Sequence, residues 1–301
     1  MSLTKYLKIK RIIYNILKYP IILLFIKTPL INILKERFRN HRSYIGKNIF
    51  WFILDSIFQR EYLSKINNRK EYRSLIEPVL SNGEGAKWAG HYLKNKITID
   101  NLKNEKIGNI ALNEAKPIYE KLIKFIDLNK ISDDFNTYII QLGSSSGREI
   151  EFFLNLFPKL NYVSTDITDE ILDFQKQIYN YKNLKYYKCY AEDINECINY
   201  YKLEKKNIIL FSSSTLQYLN NFFINEFFKN IKIYNKVNLF LIEPVDYNFI
   251  KSDSKDFSYN RGNDSFSHKY DKLAEKQNLV IKEKKIINTG ISTFFYLHVS
   301  N

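Results

Sequence analysis

Two features of the sequence could do chemistry together. Residues 143–147 read Gly-Ser-Ser-Ser-Gly, between an apolar run at 138–142 and the residues Ile150, Phe153, Leu154 and Phe157, which recur at helical spacing. Strand, glycine turn and helix in that order aim unpaired backbone N–H groups at whatever occupies the turn. Nineteen residues past Gly147, Asp166 closes a second strand pattern, and a carboxylate there can accept from both hydroxyls of a ribose. The turn alone stays open to other chemistry. It fits G-x-S-x-G, which makes Ser145 a hydrolase nucleophile with Asp246 and His268 following in the acid-then-histidine order. It fits the dinucleotide fingerprint only in part, because Arg148 and Glu149 stand where the third glycine belongs. Tyr201 and Lys205 form a Y-x-x-x-K pair of the reductase kind, a weak match in a chain so rich in both residues. A plain strand-to-helix turn is the remaining reading.

The elements that must position these residues are legible in outline. Beyond Gly147 strand and helix patterns alternate, which predicts an α/β fold: a doubly wound, mostly parallel seven-stranded sheet with helices on both faces. Strands are expected at 138–142, 161–165, 184–189, 207–211 and 238–242. Segments 279–287 and 292–299 flank a connection too short to join anything but antiparallel strands, so the sheet is expected to end in a C-terminal antiparallel hairpin. Before the turn, 114–128 reads as an amphipathic helix and 81–86 as a loop, followed by Lys87, Trp88 and His91 as candidates for a substrate mouth. Residues 1–112 read as a basic helical N-terminal extension and 113–301 as the α/β domain. Within the extension, Pro20 and Pro29 divide 3–39 into short helical pieces.

Charge is placed unevenly along the 301 residues. The net +14 comes almost wholly from residues 1–110, with 21 basic against 8 acidic side chains, while the remainder holds 25 against 24. Residues 1–47 alone carry 11 basic residues and one acid, Glu36. The apolar stretch 12–34 contains Lys18 and Lys27, each costing about 2.5–3.5 kcal/mol near a bilayer centre, so a membrane span is not expected. No alanine precedes Ala86, which leaves no small-residue cleavage site for a signal peptide. An anionic membrane surface fits residues 1–47 as a partner, with apolar side chains below the headgroups and cations among them. The alternative is that these helices cover the α/β domain. Nucleic acid ranks below both, since no binding module is recognisable. Cys189 and Cys197 have neither metal spacing nor a disulfide framework, which suits packing cysteines in the cytoplasm, and no metal site is expected.

Taken in order, five stretches between 114 and 299 resemble the class I, Rossmann-like methyltransferases dependent on S-adenosylmethionine. Residues 141–147 look like the family's first motif, Asp166-Ile167 like its ribose acid and the apolar residue beneath adenine, and 190–194 like the loop at the adenine edge. Residues 211–219 resemble the strand exit beside the transferred methyl, and 241–244 the end of the next strand. The resemblance implies cofactor contacts from Gln141, Gly143, Ser144, Ser145, Gly147, Asp166, Ile167, Glu192, Asp193 and Ser212. The chain departs from the family at Gln141, where an acid is usual, at Ser145, which replaces a middle glycine, and at Tyr190, which takes the place of an adenine-binding acid. Absence of Asn-Pro-Pro-Tyr after the fourth strand argues for a hydroxyl or carboxylate acceptor, and the basic extension for a glycan or lipid-linked one. His268 is the first candidate for a base. Glu243 either orients substrate or caps a turn. A degenerate fold that only binds a partner is the non-catalytic alternative.

Overall fold

The computed structural model describes residues 16–40, 49–82, 119–262, 265–289 and 292–301. Its strands are β1 Thr137–Leu142, β2 Asn161–Asp166, β3 Leu184–Lys188, β4 Asn207–Ser213, β5 Val237–Val245, β6 Ser258–Gly262, β7 Ser265–His268, β8 Val280–Asn288 and β9 Thr293–Ser300. Seven of them form one sheet in the order β3-β2-β1-β4-β5-β9-β8. β1 to β5 run parallel, and β9 lies antiparallel between β5 and β8. The expected doubly wound sheet and its terminal hairpin are therefore present, and β6 with β7 adds a second small hairpin that the sequence reading had no place for.

The chain steps outward from β1 to β3 and then returns to place β4 on the other side of β1. At such a switch the connections leaving β1 and β4 diverge to opposite faces, which opens a crevice beyond the carboxyl ends of those two strands. Strands at the centre of a doubly covered sheet must be apolar on both faces, and Ile139, Ile140 and Leu142 of β1 and Ile208 to Phe211 of β4 are all buried.

The covering helices come from the N-terminal part and the middle of the chain. Residues 119–128 (α4) and Arg148–Leu156 (α5) pack Tyr119, Leu122, Ile126, Ile150 and Phe153 onto one face, against Ile139, Phe211 and Phe240. The opposite face carries Ile194–Tyr200 (α7) and Asn221–Lys232 (α8), while Asp169–Ile178 (α6) links β2 to β3. That second face also takes in the N-terminal helices Ile31–Asn40 (α1) and Arg69–Asn82 (α3), with Ile49–Glu61 (α2) between them. Leu34, Phe38, Leu54, Ile57, Phe58, Leu75 and Ile76 share a single buried core with Leu210, Leu239 and Phe227.

Polar contacts fix this arrangement. Arg37 holds Asp55 through a two-pronged contact, 3.0 Å from Nε and 3.1 Å from Nη2. Pro78 lies inside α3 and cannot donate to the carbonyl one turn back; that carbonyl, of Ser74, accepts from Arg39 Nε at 3.2 Å instead. Asn220, fully buried, caps α8 through Phe222 N and Phe223 N and donates to the carbonyls of Leu63 and Ile66 at 3.0 and 2.8 Å. Pro29 does precede α1, but Pro20 lies within a helical segment that runs through 16–21 into a π-turn at Ile22–Ile26, so it does not divide the chain there. Lys87, Trp88 and His91, most of the 81–86 loop and residues 114–118 lie outside the described residues.

Replacing Asn220 by alanine removes a helix cap and leaves two buried carbonyls without donors. The expected loss is about 2–4 kcal/mol, read as a lowered urea midpoint, and Asn220→Asp should retain the cap yet still lose the carbonyl bonds.

Candidate functional site

The glycine turn is built from left-handed backbone. Gly143, Ser145 and Gly147 have φ of 60°, 49° and 76°. A Cβ on Gly143 would lie 2.3 Å from Oγ1 of Thr215, whose hydroxyl donates to the carbonyl of Leu142 at 3.0 Å. One on Gly147 would come 2.6 Å from the ring of Tyr179. Glycine is thus needed twice, for conformation and for space. Ser145 has no such freedom and costs about 1–2 kcal/mol in this region, a strain that persists only where the surroundings fix the backbone.

Those surroundings come from β2 and α6. Ser145 N donates to Asp166 Oδ2 at 3.0 Å, and Ser144 N donates to the carbonyl of Thr165 at 2.8 Å. Gln175, fully buried on α6, donates to Ser144 Oγ and to the carbonyl of Ser145 at 2.8 and 2.6 Å while accepting from Ser164. Tyr179 donates to the carbonyl of Ser146 at 3.0 Å. Asp166 also accepts from Ile167 N at 2.8 Å, and Ile167 itself is half-buried at the strand end. The turn and the carboxylate therefore face each other across one end of the sheet.

Glu243 organises the neighbouring strand exit. Fully buried at the end of β5, it accepts from Ser212 Oγ at 2.6 Å, from Thr215 N and Leu216 N at 3.1 Å, and from Gln217 N at 3.2 Å. The Ser212 hydroxyl is thereby turned to Glu243, and the segment from Ser212 to Gln217 is held as a nest around one carboxylate. Of the two roles read from sequence for Glu243, the turn-holding one accounts for all these contacts. The backbone of this nest then presses Thr215 against Gly143.

Gln141 and Glu149 meet on the other side of the turn. Gln141 Nε2 donates to Glu149, which also accepts from Tyr119 of α4 at 2.5 Å and from Ser213 of β4. The remaining oxygen of Gln141, Oε1, is buried and has no hydrogen-bond partner among the described residues. The signal for Glu149 was present in the sequence as a carboxylate two residues past Gly147, yet its partner at 141 is visible only in the fold.

The loop after β3 is engaged by α3. Glu192 accepts from Arg73 at 3.0 Å, Asp193 receives both Arg73 and Arg69, and the Arg73 guanidinium lies 3.7 Å over the ring of Tyr190. Tyr190 in turn donates to Glu77 at 2.9 Å. Burial raises the Glu192 carboxyl above the ordinary range, and Arg73 opposes that shift.

His268 ends β7 and is fully buried, with Nδ1 2.7 Å from Ser258 Oγ and the ring beside Phe266 and Tyr270. Burial, with Arg261 nearby, lowers it to about 3, so it is neutral at physiological pH. Asp246 spends its carboxylate on Phe249 N, capping Tyr247–Lys251 (α9). The histidine and acid of the hydrolase reading are thus separately engaged, with Ser258 and with Phe249 N, and Tyr201 of the reductase pair donates to the carbonyl of Tyr186.

A switch-point crevice with a glycine turn on β1, an acid closing β2 and an antiparallel β9 inserted beside β5 decides the architecture. This is the class I methyltransferase fold. No family model matches the chain. A malonyl-(acyl-carrier protein) O-methyltransferase of Bacillus anthracis is 28% identical over 109 residues, or 36% of this chain, and the match spans 38% of that relative's length. Solved S-adenosylmethionine-dependent methyltransferases from Anabaena variabilis and Mesorhizobium loti align at 10% and 9% identity, both with a TM-score of 0.41. They cover 60% and 55% of this chain and 83% and 90% of their own. The strand order carries the fold assignment.

Burial pushes Asp166 up to about 6 and Glu149 and Glu243 up to about 7. A carboxyl raised in the folded state contributes stability that is complete below its ordinary value near 4 and is lost as pH rises through the folded value. His268 and His298, lowered to about 3 and about 4, act oppositely, losing stability as pH falls from about 6.5. Only a difference between variant and parent isolates one group. Glu243→Gln should make the slope of stability against pH more positive between about 4.5 and 7, by up to one proton. A variant-minus-parent difference that stays constant across that window would show that Glu243 is not raised.

Proposed function

We propose that the chain is an S-adenosylmethionine-dependent methyltransferase acting on an oxygen acceptor. The observation that carries this reading is the 3.0 Å bond from Ser145 N to Asp166, because it joins the turn and the carboxylate into one wall of the switch-point crevice. The residues fit the cofactor. Asp166 accepts from Ser145 N, Ile167 N and Thr168 N and keeps a lone pair for a ribose hydroxyl, and Ile167 offers apolar surface for a base. Gly143, Ser144, Ser145 and Gly147 give close backbone approach, and Gln141 presents an unpartnered acceptor. Glu192 and Asp193 are assigned to the adenine side, where they would share their oxygens with Arg73. Ser212 shapes the methyl side through Glu243.

Bound in this crevice, the cofactor would supply a methyl already made electrophilic by the sulfonium. What the protein must add is alignment of the acceptor oxygen and, for a hydroxyl, removal of a proton. Alignment falls to the Ser212–Gln217 nest held by Glu243. His268 is the assigned base, and it is fully buried against Ser258, Phe266 and Tyr270, which favours a carboxylate acceptor that carries no proton to remove. The matched stretch of the relative, an O-methyltransferase by name, agrees with oxygen.

The acceptor is assigned to a glycan or lipid-linked intermediate met at an anionic membrane surface. Ile16, Tyr19, Leu23, Leu24 and Ile33 are 65%, 72%, 59%, 58% and 51% exposed on the outer side of the N-terminal helices, in the most basic part of the chain. Among the described residues no helix is long and apolar enough to cross a membrane. Surface attachment is then the form that such a face can take.

Calorimetry with S-adenosylhomocysteine should give micromolar binding, weakened about 10–100-fold by Asp166→Ala. Absence of any binding to the parent chain would leave the non-catalytic fold as the better reading. In vesicle flotation, the full chain should rise with anionic but not neutral vesicles, and Leu23→Ser with Leu24→Ser should reduce the bound fraction several-fold. Equal flotation of parent and variant would discard the membrane assignment.

A further inference from the structure

The proposed cofactor has two ends, and the crevice offers chemistry for each. Asp166 and Ile167, at the end of β2, suit the nucleoside. From there the rest of the molecule must run across the turn toward β1 and β4. These strand ends lie about 5–10 Å away, one and two strand spacings in the sheet order. The residues that wait there are Gln141, Glu149, Tyr119 and Ser213.

Their bonding is lopsided. Tyr119, Gln141 and Ser213 all direct neutral donors at Glu149, so among the described residues this carboxylate is gathered into a polar cluster by uncharged hydrogen-bond partners. Beside it Gln141 Oε1, on a residue 1% exposed, is an acceptor to which no group among the described residues donates. Glu149 lies in the first turn of α5, two residues past Gly147, so the cluster sits beside the turn. A carboxylate with an adjacent buried carbonyl oxygen lacks one thing, a cation with several N–H groups.

We propose that Glu149 and the carbonyl oxygen of Gln141 bind the α-ammonium of the cofactor's amino-acid end, with Glu149 providing the negative charge that Gln141 cannot. The inference rests on the cofactor reading above and adds a residue to it. Gln141 becomes a positioning and accepting group: its amide nitrogen holds Glu149 in place, which leaves its oxygen turned to the ligand. An acid moved from the strand end to the first turn of α5 serves the same charge from the other side of the turn. The raised Glu149, at about 7 without a cation, is in keeping with a carboxyl that ionises fully when one arrives.

The test compares two ligands by calorimetry on the full chain. S-Adenosylhomocysteine carries the ammonium; 5′-methylthioadenosine has the same nucleoside and sulfur but no amino acid. Glu149→Gln should weaken S-adenosylhomocysteine about 10–100-fold and leave 5′-methylthioadenosine within about 2-fold, while Glu149→Asp should recover part of the loss. Retained 5′-methylthioadenosine binding also shows that the variant is folded. Unchanged S-adenosylhomocysteine affinity, or an equal loss for both ligands, would overturn the assignment of Glu149. Failure of the parent chain to bind either ligand would overturn the cofactor reading and this inference with it.

Discussion

The crevice depends on one contact, a carboxylate at the end of β2 that fixes the backbone of the turn leaving β1. Without Asp166 the left-handed Ser145 would have little reason to stay where it is, because a serine at positive φ relaxes unless its N–H and carbonyl are both tied down. Gln175 completes the constraint by taking the Ser145 carbonyl. The strain in the turn is therefore offset by α6 and β2, elements that the turn itself precedes in the chain.

Buried acids recur at the sheet's carboxyl end. Glu243 gathers three backbone N–H groups and a hydroxyl into the β4 exit, Asp166 gathers the turn, and Glu149 gathers side chains from α4, β1 and β4. Each is raised by desolvation, and for each the donors around it pull the other way. These carboxyls act as hubs: a single group with several lone pairs can hold loops from different strands in register where no regular hydrogen-bond ladder reaches.

Much of the sheet was legible in the sequence, for a physical reason. Buried parallel strands favour continuous apolar runs, so β1 and β4 announce themselves through Ile139-Ile140 and Ile208 to Phe211, and Gly143 and Gly147 mark a turn that other residues cannot make. The β6–β7 hairpin was not legible, because strands as short as Ser258–Gly262 and Ser265–His268 carry too few residues for alternation to stand out. For that reason nothing in the sequence showed that His268, the first candidate for a base, lies buried against Ser258. Gln175 and Arg73 were equally silent. Each acts across more than 25 residues of sequence, on Ser144 and on Glu192, and no local pattern encodes such a partner.

The docking of α1 and α3 onto the sheet bears on how this chain can be divided. Their apolar stripes fill one side of the same interior as β4 and β5, and Asn220 stitches the segment around Leu63 to the start of α8. A shortened polypeptide lacking them would present a bare hydrophobic wall and be prone to clump. The inward side of these helices is taken up by the core, so only their outward side is free to meet anything else.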